Sequence, residues 1–266
     1  MNPLPQKPPG FSRWIIPDIH GFAKTLRALI ETQICPGLGD ELCFLGDYID
    51  RGPDSRGVIN YIRSLQDDGY SIVALRGNHE AALTDFVNGR NNTGRPRRNT
   101  VDSKGGFDKW YEWLRNLRCH VGTRVEKAWL GMGGDATLRS FGVRKAAEIP
   151  EDYLEWMNSL GWYHELEAFV VVHAGLNFRL EDPFEDRHTM LWARDFEIRP
   201  EKIGGRRIIH GHVPVSLEMI NLAVNNPKIP FIDLDNGPYI KGQPDFGNLC
   251  ALEVNRMRLV IQHNVD

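Results

Sequence analysis

No two cysteines in this 266-residue chain stand at CxxC spacing, and only four are present: Cys35, Cys43, Cys119 and Cys250. That scatter excludes a thiolate metal knot and a dense disulfide framework. Cys43 lies inside the apolar run Leu42-Cys43-Phe44-Leu45, where a thiol serves as a small buried hydrophobe. No run reaches the ~18 apolar residues of a membrane span. The proline-rich residues 1–10 lack an apolar signal core, so a cytoplasmic protein without membrane contact is expected. An excess of one charge is missing too. A formal net charge of −3 gives no whole-molecule reason for stable nucleic-acid binding, so any affinity for anions must be local. Oligomeric state is left open.

The first third of the chain alternates in type. Arg13 to Ile16 reads as a strand, and Phe22, Leu26, Leu29 and Ile30 repeat at helical spacing up to Pro36-Gly37. Leu42 to Leu45 form a second strand, Val58, Ile59, Ile62 and Leu65 a second helix, and Ser71 to Leu75 a third strand. This β-α-β-α-β order predicts parallel strands, whose carboxyl ends gather functional groups. Residues 85–165 differ in character. They hold a basic polar stretch with Arg90, Arg95, Arg97 and Arg98, then Trp110, Trp113, Leu114 and Leu117 at helical spacing, then a short helix from Asp152 to Leu160. We read a helical insertion over the site inside one domain of 1–266. Later strands are expected at Phe169 to Val172 and Arg207 to Ile209. Phe231 to Leu234, Leu249 to Val254 and Met257 to Ile261 read as a closing antiparallel sheet, with a hairpin at Asn255-Arg256.

Short clusters of carboxylate, imidazole and amide groups follow the strands. They are Asp18-Ile19-His20-Gly21, Gly46-Asp47-Tyr48-Ile49-Asp50-Arg51-Gly52, Gly77-Asn78-His79-Glu80, His173-Ala174-Gly175 and Gly211-His212. Asp18 and His20 could reach one cation if the chain bends after its strand. Asp47 has two oxygens to share between that cation and a second one, whose shell Asn78, His173 and His212 could complete. Oxygen and imidazole donors without thiolate suit Mn²⁺, Fe or Zn²⁺. Two divalent ions set against Asp18, Asp47 and a hydroxide leave about +1, a charge that attracts a phosphate ester. Any one cluster alone would be unremarkable in a structural loop; five together, each after an apolar run, argue for a site.

This series resembles the phosphoprotein phosphatase branch of the calcineurin-like metallophosphoesterases, a group that includes bacterial serine/threonine or tyrosine phosphatases. The resemblance spans residues 18–212, and Phe231 to Asp235 followed by Asn236-Gly237 looks like the family's closing segment. It implies a hydrolase with an α/β, four-layer αββα sandwich and two divalent ions, Mn²⁺ foremost. Asp18, His20 and Asp47 would hold one ion, and Asp47, Asn78, His173 and His212 the other. A hydroxide bridging them would attack phosphorus directly, with no phosphoenzyme. His79 would protonate the leaving oxygen and Asp50 would orient that imidazole. Arg51 and Asn78 would bind the phosphate, with Arg194, in Leu191-Trp192-Ala193-Arg194, as a second arginine. A surface ion pair is the alternative for Arg194. His210 is expected to pack or support rather than ligate, and Glu80 to favour a helix amino end.

Two departures bear on the substrate. Val213-Pro214 follows His212 where many nucleases of the wider superfamily carry a second histidine. Asp50 stands where symmetrical dinucleoside tetraphosphatases typically have alanine. The first argues against a nuclease; Asp50, with Glu80, tilts toward phosphomonoesters, including phosphoserine, phosphothreonine or phosphotyrosine on proteins. A dinucleoside polyphosphate or RNA-cap hydrolase is the alternative, which the Arg95–Arg98 stretch would suit if it is more than a solvated loop. A catalytically silent metal-binding scaffold is the alternative from another class. Pro17 replaces the glycine usual before the first aspartate. Gly131-Met132-Gly133-Gly134-Asp135-Ala136-Thr137 resembles a segment of bacterial members that either shapes the pocket or simply turns.

Overall fold

Alternation within the strands builds the molecule. The computed structural model describes residues 11–91 and 126–266. The chain runs through β1 (Arg13–Ile16), α1 (Ala23–Ala28), β2 (Glu41–Phe44), α2 (Ser55–Asp67), β3 (Ser71–Ala74) and α3 (Asn78–Asn91). It continues with α4 (Asp135–Phe141), α5 (Glu151–Ser159), β4 (Tyr163–Glu165), β5 (Phe169–Val172), α6 (Arg187–Trp192) and β6 (Arg207–His210). α7 (Leu217–Asn225), β7 (Phe231–Asp233), β8 (Asn248–Glu253) and β9 (Arg258–His263) complete it. One sheet has the order β3-β2-β1-β8-β9, the other β4-β5-β6-β7.

Side chains leave a strand on alternate faces, so each strand feeds two layers. Trp14 and Ile16 of β1, Leu42 and Phe44 of β2, and Leu249 and Ala251 of β8 face the helices α1 to α3. Ile15, Cys43, Cys250 and Leu252 face the other way and meet Val171, Ile209 and Ile232 of the second sheet. Val170, Val172 and Ile208 then form the outer face with Met190 of α6. The result is a mixed α/β sandwich of two sheets flanked by helices, as the sequence implied. Cys43 and Cys250 are buried between the sheets and burial pushes both thiols up, so they act as hydrophobes there.

Several elements depart from the expected ones. β7 does not join a closing antiparallel sheet; it pairs in parallel with β6, Ile209 opposite Ile232. β8 and β9 form the expected hairpin, but β8 lies antiparallel to β1 in the first sheet. Alternation reports a strand's two faces and not its neighbour, so the sheets could not be told apart. The first helix is also broken. α1 gives way to a π-helical turn, Leu29–Ile34, which ends at Cys35 with φ 48° just before Pro36. α2 follows its pattern: Asp54 caps it by accepting the Gly57 amide at 2.8 Å, and Val58, Ile59, Ile62 and Leu65 are buried.

Of the stretch 85–165, the basic run at Arg95–Arg98, the Trp110–Leu117 periodicity and Cys119 lie outside the described residues. The described remainder belongs to the first core. α4 packs on α2 and α5 on α3, and Trp129, Phe141, Tyr153 and Met157 join the helical layer. No helix among the described residues is long and apolar enough to cross a membrane.

Five strands, β1, β2 and β3 parallel in one sheet and β5 and β6 parallel in the other, are each followed by one of the clusters singled out in the sequence. The inter-sheet layer therefore sets the distance between the two sets of strand ends. Ile209, fully buried in that layer, should cost about 2–5 kcal/mol as Ile209→Ala. Urea unfolding followed by circular dichroism checks this; an unchanged midpoint would mean the layer is not packed as described.

Candidate active site

The turns after the strands are tight, and several are held in left-handed backbone. His20 (φ 51°), Asp47 (51°), Asp50 (73°), Arg51 (66°) and His212 (76°) account for five of the eight non-glycine residues with positive φ among the described residues. Aspartate and histidine tolerate that region better than most side chains, yet each instance costs of order 1–3 kcal/mol and must be held by its surroundings. Two glycines let these turns meet. A Cβ on Gly77 would lie 2.1 Å from Asp47 Oδ1, and one on Gly211 would lie 2.4 Å from Asp18 Oδ1.

Asp47 is the centre of the arrangement. His20 Nε2 and His79 Nε2 each lie 3.7 Å from its Oδ2, and His173 Nε2 lies 3.6 Å from its Oδ1. His173 Nε2 and His212 Nδ1 both lie 3.0 Å from Asn78 Oδ1. Two groups could each hold a metal ion: His20, Asp47 and His79, and Asp47, His173 and His212. Asp18 belongs to neither by distance. It is fully buried, its Oδ1 is 3.9 Å from His173 Nδ1, and its carboxylate accepts the His212 amide at 3.2 Å. Thus Asp18, His20, Asp47, Asn78, His173 and His212 come together in one site.

The donor chemistry fits a pair of divalent ions. His20 Nδ1 donates to Ile49 O at 3.0 Å and His173 Nδ1 to Leu45 O at 3.1 Å, so each Nε2 is left as a lone pair aimed inward. The lone pair on His173 Nε2 faces the amide oxygen of Asn78, a contact that a cation relieves. Charge points the same way. Burial, and then the charges of Asp235 and Asp47, hold Asp18 well above the usual carboxylate range. Burial opposes ionisation of Asp47 too, but His79, His173, His20 and His212 together hold its carboxyl well below that range. Burial likewise depresses His20 and His212, with Arg51 adding to the first and His173 to the second.

Beside the donors lies a hydrogen-bonded histidine–aspartate pair. His79 Nδ1 donates to Asp50 Oδ2 at 2.6 Å, and Arg51 Nη2 lies 3.3 Å from His79 Nε2. Burial lowers the affinity of His79 for a proton, but Asp47 and Asp50 outweigh it and the imidazole titrates above its ordinary value. Arg194 is exposed after α6, and its charge still contributes to depressing His212. His210 lies in neither donor group; it packs between Phe196 and Phe231 with Nδ1 3.1 Å from Gly211 O.

Sequence reasoning missed four residues at the site. Trp129 and Thr137 both donate to Asp50, at 3.0 and 2.6 Å. Thr137 sits in the glycine-rich segment already singled out; nothing marked Trp129. Tyr239 stacks on the Arg51 guanidinium at 4.0 Å and edges onto His20. Asp235, buried with Oδ2 unpartnered, stands at the end of β7 near enough to raise Asp18. Its signal in the sequence was its place at the end of the segment Phe231 to Asp235, already likened to the family's closing segment.

Glu80 does more than face a helix amino end. Its Oε1 accepts the amides of Tyr48 and Ile49 at 2.8 and 3.2 Å, and its Oε2 those of Asp47 and Gly77 at 3.0 and 3.1 Å. One buried carboxylate thereby ties the turn after β2 to the start of α3. Burial, and then Asp47, push it up to about 7.

The family model for the calcineurin-like phosphoesterases matches residues 11–229. A symmetrical bis(5'-nucleosyl)-tetraphosphatase of Photorhabdus laumondii is 33% identical over 105 residues, 39% of this chain and 37% of that protein. Serine/threonine-protein phosphatase 1 of Salmonella typhimurium is 40% identical over 73 residues, 27% of this chain and 31% of that protein. The chain thus matches well under half the length of either relative. A serine/threonine phosphatase structure from Saccharomyces cerevisiae superimposes with a TM-score of 0.58, covering 97% of this chain and 81% of that one at 14% identity, a likeness of fold.

Because Glu80→Ala strands four buried amides, it should destabilise the metal-free protein by roughly 3 kcal/mol or more. A thermal unfolding midpoint equal to that of the wild type would refute the pinning role.

Proposed function

This chain belongs to the calcineurin-like phosphoesterase family, and we propose that within it the protein is a metal-dependent phosphomonoester hydrolase acting on phosphoproteins. The hydrogen bond between His79 and Asp50 carries this reading. An oriented, protonated imidazole is what a poor leaving group such as a serine, threonine or tyrosine oxygen needs.

Two divalent ions, Mn²⁺ foremost with Fe or Zn²⁺ as alternatives, would supply Lewis acidity toward the phosphate and activate the attacking water. Asp18, His20 and Asp47 would hold the first ion, and Asp47, Asn78, His173 and His212 the second. His79 also lies within reach of the first group, but the Arg51 guanidinium at its Nε2 disfavours a cation there. We therefore assign His79 to the proton. Asp50 fixes the Nδ1–H, which leaves Nε2 to carry the proton that passes to the departing oxygen. Arg51 reaches the same small volume as His79 Nε2 and presents a planar donor fork to phosphate oxygens. Asn78 and Arg194 would add donors on the side of the second ion.

A second reading, hydrolysis of dinucleoside polyphosphates, is favoured by the names of most curated relatives, such as that of Photorhabdus laumondii. The two readings separate in one assay: kcat/KM of Mn²⁺-loaded protein on a phosphopeptide and on diadenosine tetraphosphate. We expect preference for the phosphopeptide; preference for the dinucleotide would replace the first reading with the second.

Two variants test the assignment of roles. His79→Asn should keep its metals yet lose about 10²–10⁴-fold in kcat; unchanged turnover would remove His79 from the reaction. Asp47→Asn should lose both ions, measured by equilibrium dialysis. Two ions retained per chain would contradict the bridging role.

A further inference from the structure

We propose that Trp129 and Thr137 are positioning residues for proton transfer, fixing the Asp50 carboxylate so that it holds His79 in one orientation. This rests on the reading of His79 as the proton donor.

An ionised carboxylate only accepts hydrogen bonds, and a fully buried one needs donors at both oxygens. Asp50 is fully buried. Its Oδ2 receives His79 Nδ1–H at 2.6 Å and Trp129 Nε1–H at 3.0 Å, and its Oδ1 receives the Thr137 hydroxyl at 2.6 Å. The direction of the Thr137 bond is forced. Thr137 Oγ1 accepts the Asp50 amide at 2.9 Å and lies 3.0 Å from Ser55 Oγ. Ser55 Oγ accepts the same Asp50 amide at 3.1 Å, which leaves its hydroxyl hydrogen for Thr137. With both its lone pairs filled, Thr137 has its own hydrogen for Asp50. The carboxylate is held from both sides and cannot turn about its last torsion without breaking a buried bond.

The same segment sets the backbone. Asp50 and Arg51 are consecutive left-handed residues, an arrangement that needs external support. Thr137 and Ser55 hold the Asp50 amide, and Gly133 O accepts the Arg51 amide at 3.2 Å. Gly133 has φ 106°, and a Cβ there would lie 2.9 Å from Arg51 N, so only glycine allows the approach. Trp129 and Thr137 are themselves buried, and the Trp129 ring lies against the position a Cβ of Gly134 would take. Core filling alone would require neither an indole N–H nor a hydroxyl aimed at Asp50.

The test compares Thr137→Val, Thr137→Ser and Trp129→Phe on two aryl phosphates, phenyl phosphate and 2,4-dinitrophenyl phosphate. A leaving group as acidic as dinitrophenol departs without a proton donor, and phenol does not. Thr137→Val and Trp129→Phe should lose at least about tenfold more kcat on phenyl phosphate than on the dinitrophenyl ester, with metal content unchanged. Thr137→Ser should restore the ratio. Equal losses on both esters would overturn the proposal and leave both residues as packing. The Nδ1–H proton resonance of His79 in Zn²⁺-loaded protein provides a reading independent of turnover. It should be far downfield in the wild type and Thr137→Ser, and shifted or lost in Thr137→Val and Trp129→Phe. If the wild type cleaves neither ester, the phosphatase reading fails, and this resonance alone decides the positioning role. An identical resonance in all four proteins would overturn it. Should Thr137→Val not fold, Trp129→Phe carries the same comparison.

Discussion

The rest of the site depends on Asp47, a carboxylate buried among four imidazoles and reached from both sheets. His20, His79, His173 and His212 surround it, and together they outweigh the burial that opposes its ionisation. Such a cluster is unfavourable to assemble unless something fixes each partner. The inter-sheet layer sets the spacing of the strand ends, Gly77 and Gly211 allow close approach, and Glu80 ties two turns together with four hydrogen bonds. Left-handed residues gather in these turns because the turns are over-determined by such contacts.

Much of this was legible in the chain. Residues of strict alternation, Trp14 against Ile15 or Leu42 against Cys43, separate into the helical and inter-sheet layers as period-two patterns demand. The five clusters lie at strand ends and converge, because parallel strands bring their carboxyl ends to one rim. What escaped was relational. Phe231 to Leu234 reads the same whether it extends the first sheet or the second, and its parallel pairing with β6 is decided by the second sheet's packing. Trp129 looked like any core aromatic because its indole N–H acquires meaning only opposite Asp50. Glu80 looked like a helix-end carboxylate because three of its four amide partners lie on a turn more than thirty residues away in the chain. Tyr239 likewise meets Arg51 only once β7 has joined the second sheet.

Function and stability pull against each other here. Asp18, Asp47, Asp235 and Glu80 are all buried within a small region, and burial first, then repulsion from neighbouring carboxylates, raises three of the four. On the proposed reading this repulsion is part of the binding free energy for divalent ions, which would stabilise the folded protein over the metal-free form in proportion to their affinity. The His79–Asp50 pair draws on a different part of the fold. Asp50 is held by residues from 129–137, which pack in the helical layer rather than between the sheets. Metal binding and leaving-group protonation would therefore draw on different supports that meet at the turn from Asp47 to Arg51 and at the start of α3, where Asn78 and His79 are neighbours.

The central claim is that Asp47 serves two ions at once. The most direct measurement is electron paramagnetic resonance of the protein loaded with two equivalents of Mn²⁺. A carboxylate shared between the ions predicts a spin-coupled pair, with a multiline spectrum and weakened signal from isolated Mn²⁺. Two independent six-line signals at full intensity would contradict it and place the ions in separate sites.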